Sequence, residues 1–266
     1  MKTSIVIRGG DSAGHMQAVI DSIRSWYDGE LLLSSWLHHD VTKLNGLSFA
    51  VLNPDPGPGP LFDSPDKHIQ NGYRQLIAGY EGIKHSSGDL VLVVRSDTTM
   101  TQSPFHFFDD AKFSKSTDSF KIFSKKMVIG NMMTINPDVN YEPVHERSFR
   151  VGDWFHMGSR EDMLKYFGSY DMMHNGRNPK HIGVEQNWLA AAIKKYYKPD
   201  LDLLNLDRYH EFAWDIILNN FRVIDNYATA KSFCLKQQWV NQPANHPAYL
   251  MQDTYEQKYT QKFNTT

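Results

Sequence analysis

The sequence contains little cysteine and few long hydrophobic runs. Cys234 is the only cysteine in 266 residues, so no intramolecular disulfide can form, and no partner lies near it at zinc-ligand spacing. The N-terminus has one lysine and then three successive apolar residues, fewer than the ~7–15 of a signal peptide. Runs such as 90–94 are far shorter than the ~20 residues that cross a bilayer. We therefore expect a soluble protein of a reducing compartment, the cytoplasm.

An excess of basic charge is also missing. The chain has 28 Lys and Arg residues and 30 Asp and Glu residues, which gives a formal net charge of −2. No sequence-wide positive field attracts nucleic-acid phosphates, so we expect no nucleic-acid partner. The composition is that of an ordinary globular protein, with 41% apolar and 22% charged residues. The length and pattern predict one large domain, 1–225, followed by a polar and weakly patterned C-terminal extension, 226–266, of helical or irregular structure.

The hydrophobic pattern alternates between short apolar runs and segments with helical periodicity. The run 89–97 is nearly all apolar, which is typical of a central parallel strand covered on both faces. Strand–helix–strand units of this length predict an α/β fold with a mostly parallel sheet flanked by helices. Strands are predicted at 4–8, 30–35, 47–52, 89–97, 126–129 and 149–157, and helices at 13–27, 68–85, 161–167, 184–197 and 208–220.

Polar residues follow three of the predicted strands, at the edge where open α/β sheets bind ligands. They are Arg8-Gly9-Gly10 after the first strand, Asp55 in the proline- and glycine-rich loop 53–60, and Arg95-Ser96-Asp97 after the apolar strand. Asp97 is a candidate ligand for a divalent cation that would neutralise a diphosphate. The other reading of Asp97 is a turn former at a strand end. Arg8, Arg74 and Arg95 are candidates for holding the diphosphate itself.

Two further carboxylates are candidate general bases. Asp153 lies between a predicted strand and two aromatic residues, and Glu185 begins a predicted helix after the polar loop 168–182. Either carboxylate would deprotonate an acceptor hydroxyl if its surroundings bring its pKa near the working pH. The alternatives are a hydrogen-bonded turn residue at Asp153 and a first-turn acid favouring the helix dipole at Glu185. The loop 168–182 is long enough to close over a ligand.

Several common motifs are missing. Gly9, Gly10 and Gly14 do not have the spacing of a dinucleotide fingerprint, and no P-loop lysine follows them. The stretch 38–40, His-His-Asp, has no further ligand at the spacing of a known metal motif. There is also no GxSxG elbow, so the sequence gives no support to a serine hydrolase of that type.

Taken together, these segments resemble the WavE-type family of lipopolysaccharide and capsule biosynthesis proteins. The resemblance covers most of residues 1–190, and the RSD and GDWF segments are its most specific parts. The matching stretches are ELLLSSWLHHDVTKLNGL (30–47), the DPG at 55–57, NGYRQLIAGYEGIKHSSGDLVLVVRSD (71–97), RVGDWFHMGSREDMLKYF (150–167) and EQNWLA (185–190).

The resemblance implies a GT-A-type, Rossmann-like fold and the transfer of a sugar from a nucleotide-sugar donor to a surface-polysaccharide acceptor, a glycan or glycolipid. In such enzymes a DxD-like signature ends a hydrophobic strand and binds Mn²⁺ or Mg²⁺, and Asp97 matches its metal-proximal carboxylate. Arg95 stands in place of the first aspartate, so metal dependence stays open, and arginine is the alternative source of positive charge. Contact with the inner face of the membrane also stays open.

The resemblance further implies an inverting single displacement. Glu185 falls where inverting GT-A enzymes keep their catalytic base, and Asp153 is the second candidate. Asp55, Asn71 and Arg74 are expected to line the pocket for the base and phosphates, with Arg8, Gly9, Arg95 and Ser96 near the diphosphate. Two alternatives remain: a sugar-nucleotidyltransferase, whose glycine-rich loop the N-terminus imitates only in part, and a non-catalytic nucleotide- or glycan-binding member.

Overall fold

The structure is a computed structural model, and it describes residues 1–10, 14–57, 72–131, 134–139, 150–172, 184–203, 206–225, 234–236 and 249–263. Its strands are β1 (Thr3–Arg8), β2 (Glu30–Trp36), β3 (Phe49–Asn53), β4 (Leu90–Arg95), β5 (Thr98–Met100), β6 (Met127–Gly130), β7 (Phe155–Ser159), β8 (Phe221–Ile224) and β9 (Cys234–Lys236). Its α-helices are α1 (Met16–Arg24), α2 (Gly72–His85), α3 (Arg160–Phe167), α4 (Val184–Tyr196), α5 (Ala213–Asn220) and α6 (Gln252–Phe263).

Seven of these strands form one mixed sheet in the order β3-β2-β1-β4-β7-β6-β8. The pairs β2–β3, β1–β2, β1–β4 and β6–β8 are parallel, whereas β7 is antiparallel to both of its neighbours. The predicted α/β class with a mostly parallel sheet is therefore confirmed. The antiparallel β7 matters for the site, because its first residues lie at the edge where β1 and β4 end.

Helices cover both faces of the sheet. Alternate strand residues such as Ile5 and Ile7 pack with the apolar side of α1 on one face. Val6 and Val93 point to the other face, where they join side chains of α2, α3, α4 and α5 in the larger core cluster. Successive strand side chains point to opposite faces, so nearly continuous apolar runs such as that of β4 are needed to fill both layers.

Two predicted elements differ from the structure. The strand predicted at 149–157 begins only at Phe155 and runs to Ser159. The β4–β7 ladder ends at the pair Val94 and Phe155, and beyond it the Arg95 N–H donates to the Trp154 carbonyl at 3.3 Å, close to the point where β4 itself ends. The helix predicted at 208–220 is a 3₁₀ segment, Leu206–Phe212, followed by α5.

The described part of the C-terminal region contacts the rest of the fold. Strand β9 pairs antiparallel with β5 in a separate two-stranded sheet. Helix α6 places the fully buried Tyr255 and Tyr259 in the larger core cluster. The division at residue 225 stays a prediction. None of the helices in the described ranges has the length and hydrophobicity needed to span a membrane.

Candidate functional site

Two arginines end the two central parallel strands. Arg8 is the last residue of β1, Arg95 is the last residue of β4, and the two are register partners. Register partners on parallel strands share a face of the sheet, here the face covered by α2. Arg8 Nη1 donates to Gln75 Oε1 at 2.6 Å, and Arg95 Nη1 lies 3.5 Å from the same oxygen. Gln75 therefore links the two guanidinium groups.

Asp153 reaches these arginines because β7 runs antiparallel to β4. Arg8 Nη2 donates to the Asp153 carbonyl oxygen at 2.6 Å and lies 3.9 Å from the carboxylate atom Oδ2. Arg95 Nη1 donates to the same Oδ2. Asp153 is only 4% exposed, so its charge is balanced inside the protein by two guanidinium groups.

Asp97 forms a bidentate pair with Arg95. Arg95 Nε and Nη2 donate to Asp97 Oδ1 and Oδ2, each at 2.9 Å. Burial lowers the pKa of Arg95, but the charges of Asp153 and Asp97 outweigh it and hold the pKa above its ordinary value. Burial lowers the pKa of Arg8 to about 10, so both arginines are charged at neutral pH.

Glu185 is the acidic residue in the first turn of α4, and it faces Arg150. Its carboxylate atom Oε2 lies 3.2 Å from Arg150 Nη2, and its side chain keeps 16% of its exposure. Burial raises the pKa of Glu185, and the charge of Asp153 raises it further, while Arg150 opposes both. The site thus contains a largely buried carboxylate with a raised pKa within electrostatic reach of Asp153.

Beneath Arg8 lies a buried set of aromatic and polar side chains. The Arg8 guanidinium carbon is 5.6 Å from the Phe167 ring centroid and 5.3 Å from that of Trp188. His156 and Tyr166 are fully buried with ring centroids 5.1 Å apart. Neither the His156 ring nitrogens nor the Tyr166 hydroxyl has a hydrogen-bond partner among the described residues. Burial lowers the pKa of His156 to about 3, so the ring is neutral near pH 7.

Gly9 and Ser96 shape the backbone at the same edge. Gly9 has φ +110°, in the left-handed region that favours glycine. An added Cβ there would lie 3.1 Å from Ser96 Oγ. Ser96 N donates to the Arg8 carbonyl at 3.0 Å, and Ser96 Oγ donates to the Gly10 carbonyl at 2.7 Å. These bonds tie the turn after β4 to the turn after β1.

Asp55 and Arg74 pair with each other at the end of β3. Arg74 Nε and Nη2 donate to the two Asp55 carboxylate oxygens, each at 2.7 Å. The hydrogen bond from Arg74 holds the pKa of Asp55 below its ordinary value. Strand β3 is two positions from β1 in the sheet, so this pair stands at the same edge but on its outer side. Asn71 lies outside the described residues, as does 173–182 of the predicted closing loop.

The sequence did not single out Gln75, Arg150 or His156. Gln75 follows Arg74 directly on α2, and that neighbourhood was its only signal. His156 follows Asp153 by three residues, but its place under Arg8 depends on how β7 pairs with β4. Arg150 belongs to the site because its guanidinium group pairs with the Glu185 carboxylate, and no sequence signal indicates that pair.

The carboxylates that the structure describes at this site are not arranged to bind a divalent cation. Among the described residues no group of three or more His, Cys, Asp or Glu side chains is placed to hold a metal ion. Both oxygens of Asp97 accept hydrogen bonds from Arg95, and Asp153 pairs with the same arginine. A divalent cation prefers several free oxygen ligands. The carboxylates here surround guanidinium groups, and they do not fit the ion expected at Asp97.

Comparison with solved structures found similar folds at low identity. An active-site mutant of LgtC is 12% identical, with 71% of this chain and 70% of that chain covered and a TM-score of 0.44. Glucosyl-3-phosphoglycerate synthase from Mycobacterium tuberculosis, in complex with Mn²⁺, UDP and phosphoglyceric acid, is 16% identical, with 84% and 68% covered and a TM-score of 0.41. TarS from S. aureus is 13% identical, with 74% and 34% covered and a TM-score of 0.41. Comparison with curated protein sequences gave no match.

A family model decides the relationship. The model described as WavE lipopolysaccharide synthesis matches residues 7–229. This range is most of the chain and contains Arg8, Arg95, Asp97, Asp153 and Glu185. The resemblance read from the sequence is thereby confirmed. The chain belongs to the WavE lipopolysaccharide synthesis family.

Proposed function

We propose that this protein is a glycosyltransferase that moves a sugar from a nucleotide-sugar donor to a lipopolysaccharide or capsule acceptor, a glycan or glycolipid. The observation that carries the proposal is the placement of Glu185, a largely buried carboxylate with a raised pKa, within electrostatic reach of the cluster that contains Arg8 and Arg95. Glu185 suits the role of proton acceptor, and the two arginines suit the binding of a leaving diphosphate.

Arginine recognises phosphate through the same planar fork that pairs with a carboxylate. Arg95 keeps about a fifth of its side-chain exposure, so it is reachable from the edge of the sheet. Arg8 lies behind it, fully buried, and adds positive charge in surroundings where charge is weakly screened. On the outer side, Asp55 and Arg74 are proposed to face the nucleoside, together with Asn71.

The proposed reaction is a single displacement with inversion. Glu185 takes the proton of the acceptor hydroxyl while the acceptor oxygen forms a bond to the anomeric carbon. The bond from that carbon to the diphosphate oxygen breaks, and the leaving diphosphate keeps the electron pair next to Arg95. A base works best when its pKa lies near the working pH, and burial moves the pKa of Glu185 in that direction. Asp153, paired with two arginines, positions them and is the second candidate base.

The proposal includes a cytoplasmic location, with contact at the inner face of the membrane when the acceptor is a glycolipid. A divalent cation is not part of it, because the described carboxylates do not fit Mn²⁺ or Mg²⁺.

The test is Glu185→Gln, which keeps the shape of the side chain and removes the base. We expect transfer to fall about 10²- to 10⁴-fold, the usual contribution of a general base, while nucleotide affinity stays within about two-fold because Arg95 is intact. Nucleotide release is measured with UDP-, GDP-, dTDP- and CMP-sugars and a lipopolysaccharide acceptor. Glu161→Gln is the matched control, since Glu161 is an exposed first-turn acid of α3.

Full transfer by Glu185→Gln together with loss in Asp153→Asn would reverse the assignment of the base. Nucleotide binding without turnover of any donor would favour the non-catalytic reading. Formation of a nucleotide sugar from a sugar phosphate and a nucleoside triphosphate would favour the nucleotidyltransferase reading.

A further inference from the structure

Arg95 and Asp97 form a bidentate ion pair that engages two nitrogens of the guanidinium group and both oxygens of the carboxylate. Two nearly parallel N–H···O bonds of 2.9 Å join the guanidinium edge to both carboxylate oxygens. A phosphate group of a diphosphate presents oxygen pairs of similar geometry to an arginine. Asp97 therefore holds Arg95 in the way that a phosphate would hold it.

The charges around Asp97 oppose a divalent cation. Arg95 contacts Asp97 directly, and Arg8 is its register partner on the neighbouring strand. An ion bound at Asp97 would stand close to the first guanidinium group and near the second, and like charges in partly buried surroundings repel strongly. The nearest further carboxylate of the cluster, Asp153, is already paired with both arginines.

The charges of Arg8, Arg95, Asp97 and Asp153 cancel. A diphosphate that enters this neutral cluster gains a partner only if one carboxylate gives up its arginine. Asp97 is the more exposed of the two carboxylates, with 22% of its side-chain exposure against 6% for Asp153. Asp97 is therefore the one that can move into water at low cost.

We infer that Arg95 binds the donor diphosphate without a divalent cation, and that Asp97 is the anion that the diphosphate displaces. This inference rests on the proposed function, which identifies the incoming ligand as the diphosphate of a nucleotide sugar. Asp97 then holds the guanidinium fork in position before the donor binds, and Asp153 keeps it in position afterwards. The absence of the first aspartate of the DxD-like signature has a physical meaning, because Arg95 supplies the positive charge from within the chain.

The first experiment measures Mn²⁺ binding to the nucleotide-free protein by electron paramagnetic resonance. We expect no bound Mn²⁺ in the wild type at micromolar concentrations. Arg95→Asp should gain a site, because it removes the competing cation and adds a carboxylate two residues before Asp97. Arg95→Gln, which removes the cation without adding a carboxylate, is the control. Stoichiometric Mn²⁺ binding by the wild type that Asp97→Asn abolishes would overturn the inference.

The second experiment measures the affinity of Asp97→Asn for UDP, GDP, CDP and dTDP by calorimetry in EDTA. Removal of the competing carboxylate should tighten binding of the preferred nucleotide roughly three- to ten-fold, the range expected for a partly exposed charged pair. A metal ligand would behave in the opposite way, since its loss would weaken binding. Asp109→Asn is the matched control, because Asp109 is an exposed aspartate paired with Lys125 away from the site.

Unchanged or weaker affinity of Asp97→Asn overturns the inference, as does wild-type binding that requires Mn²⁺. If no nucleotide binds to the wild type, the proposed function fails, whereas the Mn²⁺ measurement still decides whether Asp97 is a metal ligand.

Discussion

His156→Phe should make the protein less sensitive to acid. The ring of His156 is fully buried against Tyr166 and Phe167, and its two nitrogens have no hydrogen-bond partner in the described part of the chain. Burial, helped by the charge of Arg8, lowers its pKa to about 3, whereas an unfolded chain has an ordinary histidine pKa of about 6.5. Between these two values the unfolded state binds a proton that the folded state does not.

The sign and size of the effect follow from that difference. Because the unfolded state binds more protons, the free energy of unfolding falls as the pH drops from about 6.5 towards 3. A pH of 5 lies roughly 1.5 units below the pKa of the histidine in the unfolded chain. At about 1.4 kcal/mol per unit, His156 therefore costs about 2 kcal/mol at pH 5 and almost nothing at pH 7. Phenylalanine has no proton to bind and no nitrogen to leave unpaired, so it removes this cost.

The assay is urea unfolding at pH 7 and pH 5, followed by tryptophan fluorescence, for wild type and variant. We compare the loss of unfolding free energy between the two pH values, so that any packing change from the larger ring cancels. The other eleven of the 12 histidines contribute equally to both proteins. The loss should be about 2 kcal/mol smaller in the variant. An equal loss in both proteins would show that His156 is protonated, or reached by water, in the folded state.

Two further substitutions test the packing that positions the site. Gly79→Ala should destabilise the protein by about 1–2 kcal/mol in urea unfolding. The new methyl group would overlap the Phe167 ring beneath Arg8, and this overpacking outweighs the gain in helix propensity. Equal or higher stability of the variant would contradict that contact. Asp162→Asn should lower the free energy of unfolding by about 2 kcal/mol. The buried carboxylate accepts hydrogen bonds from Ser124 and Ser159, and these bonds hold its pKa low against the effect of burial. Wild-type stability in the variant would refute this.

Much of the first half of the fold could be predicted because its signals are local. The apolar run of β4, the β-branched run of β1 and the periodicity of α2 place these elements within a few residues of their observed bounds. Strand β7 could not be placed in the same way. Its direction and its first residue depend on where β4 ends, and no local pattern records that partnership.

The same distinction applies to the site. Strand ends predicted that Arg8 and Arg95 stand at the same edge of the sheet, and they are register partners there. That Asp153 lies between them could not be predicted, because it depends on the antiparallel pairing of β7. The sequence left Asp97 open as a metal ligand or a turn former, whereas the structure shows its two oxygens engaged by Arg95, a contact that only side-chain geometry reveals.

The small ribbon of β5 and β9 links the far end of the chain to this edge. Thr98, the residue after Asp97, is the register partner of Lys236. An open strand edge at this place would otherwise be available to foreign chains. The pairing of β5 with β9 therefore ties the residue after Asp97 to a strand far along the chain. A change in β9 can therefore shift the turn at Asp97, although the two segments are far apart in the sequence.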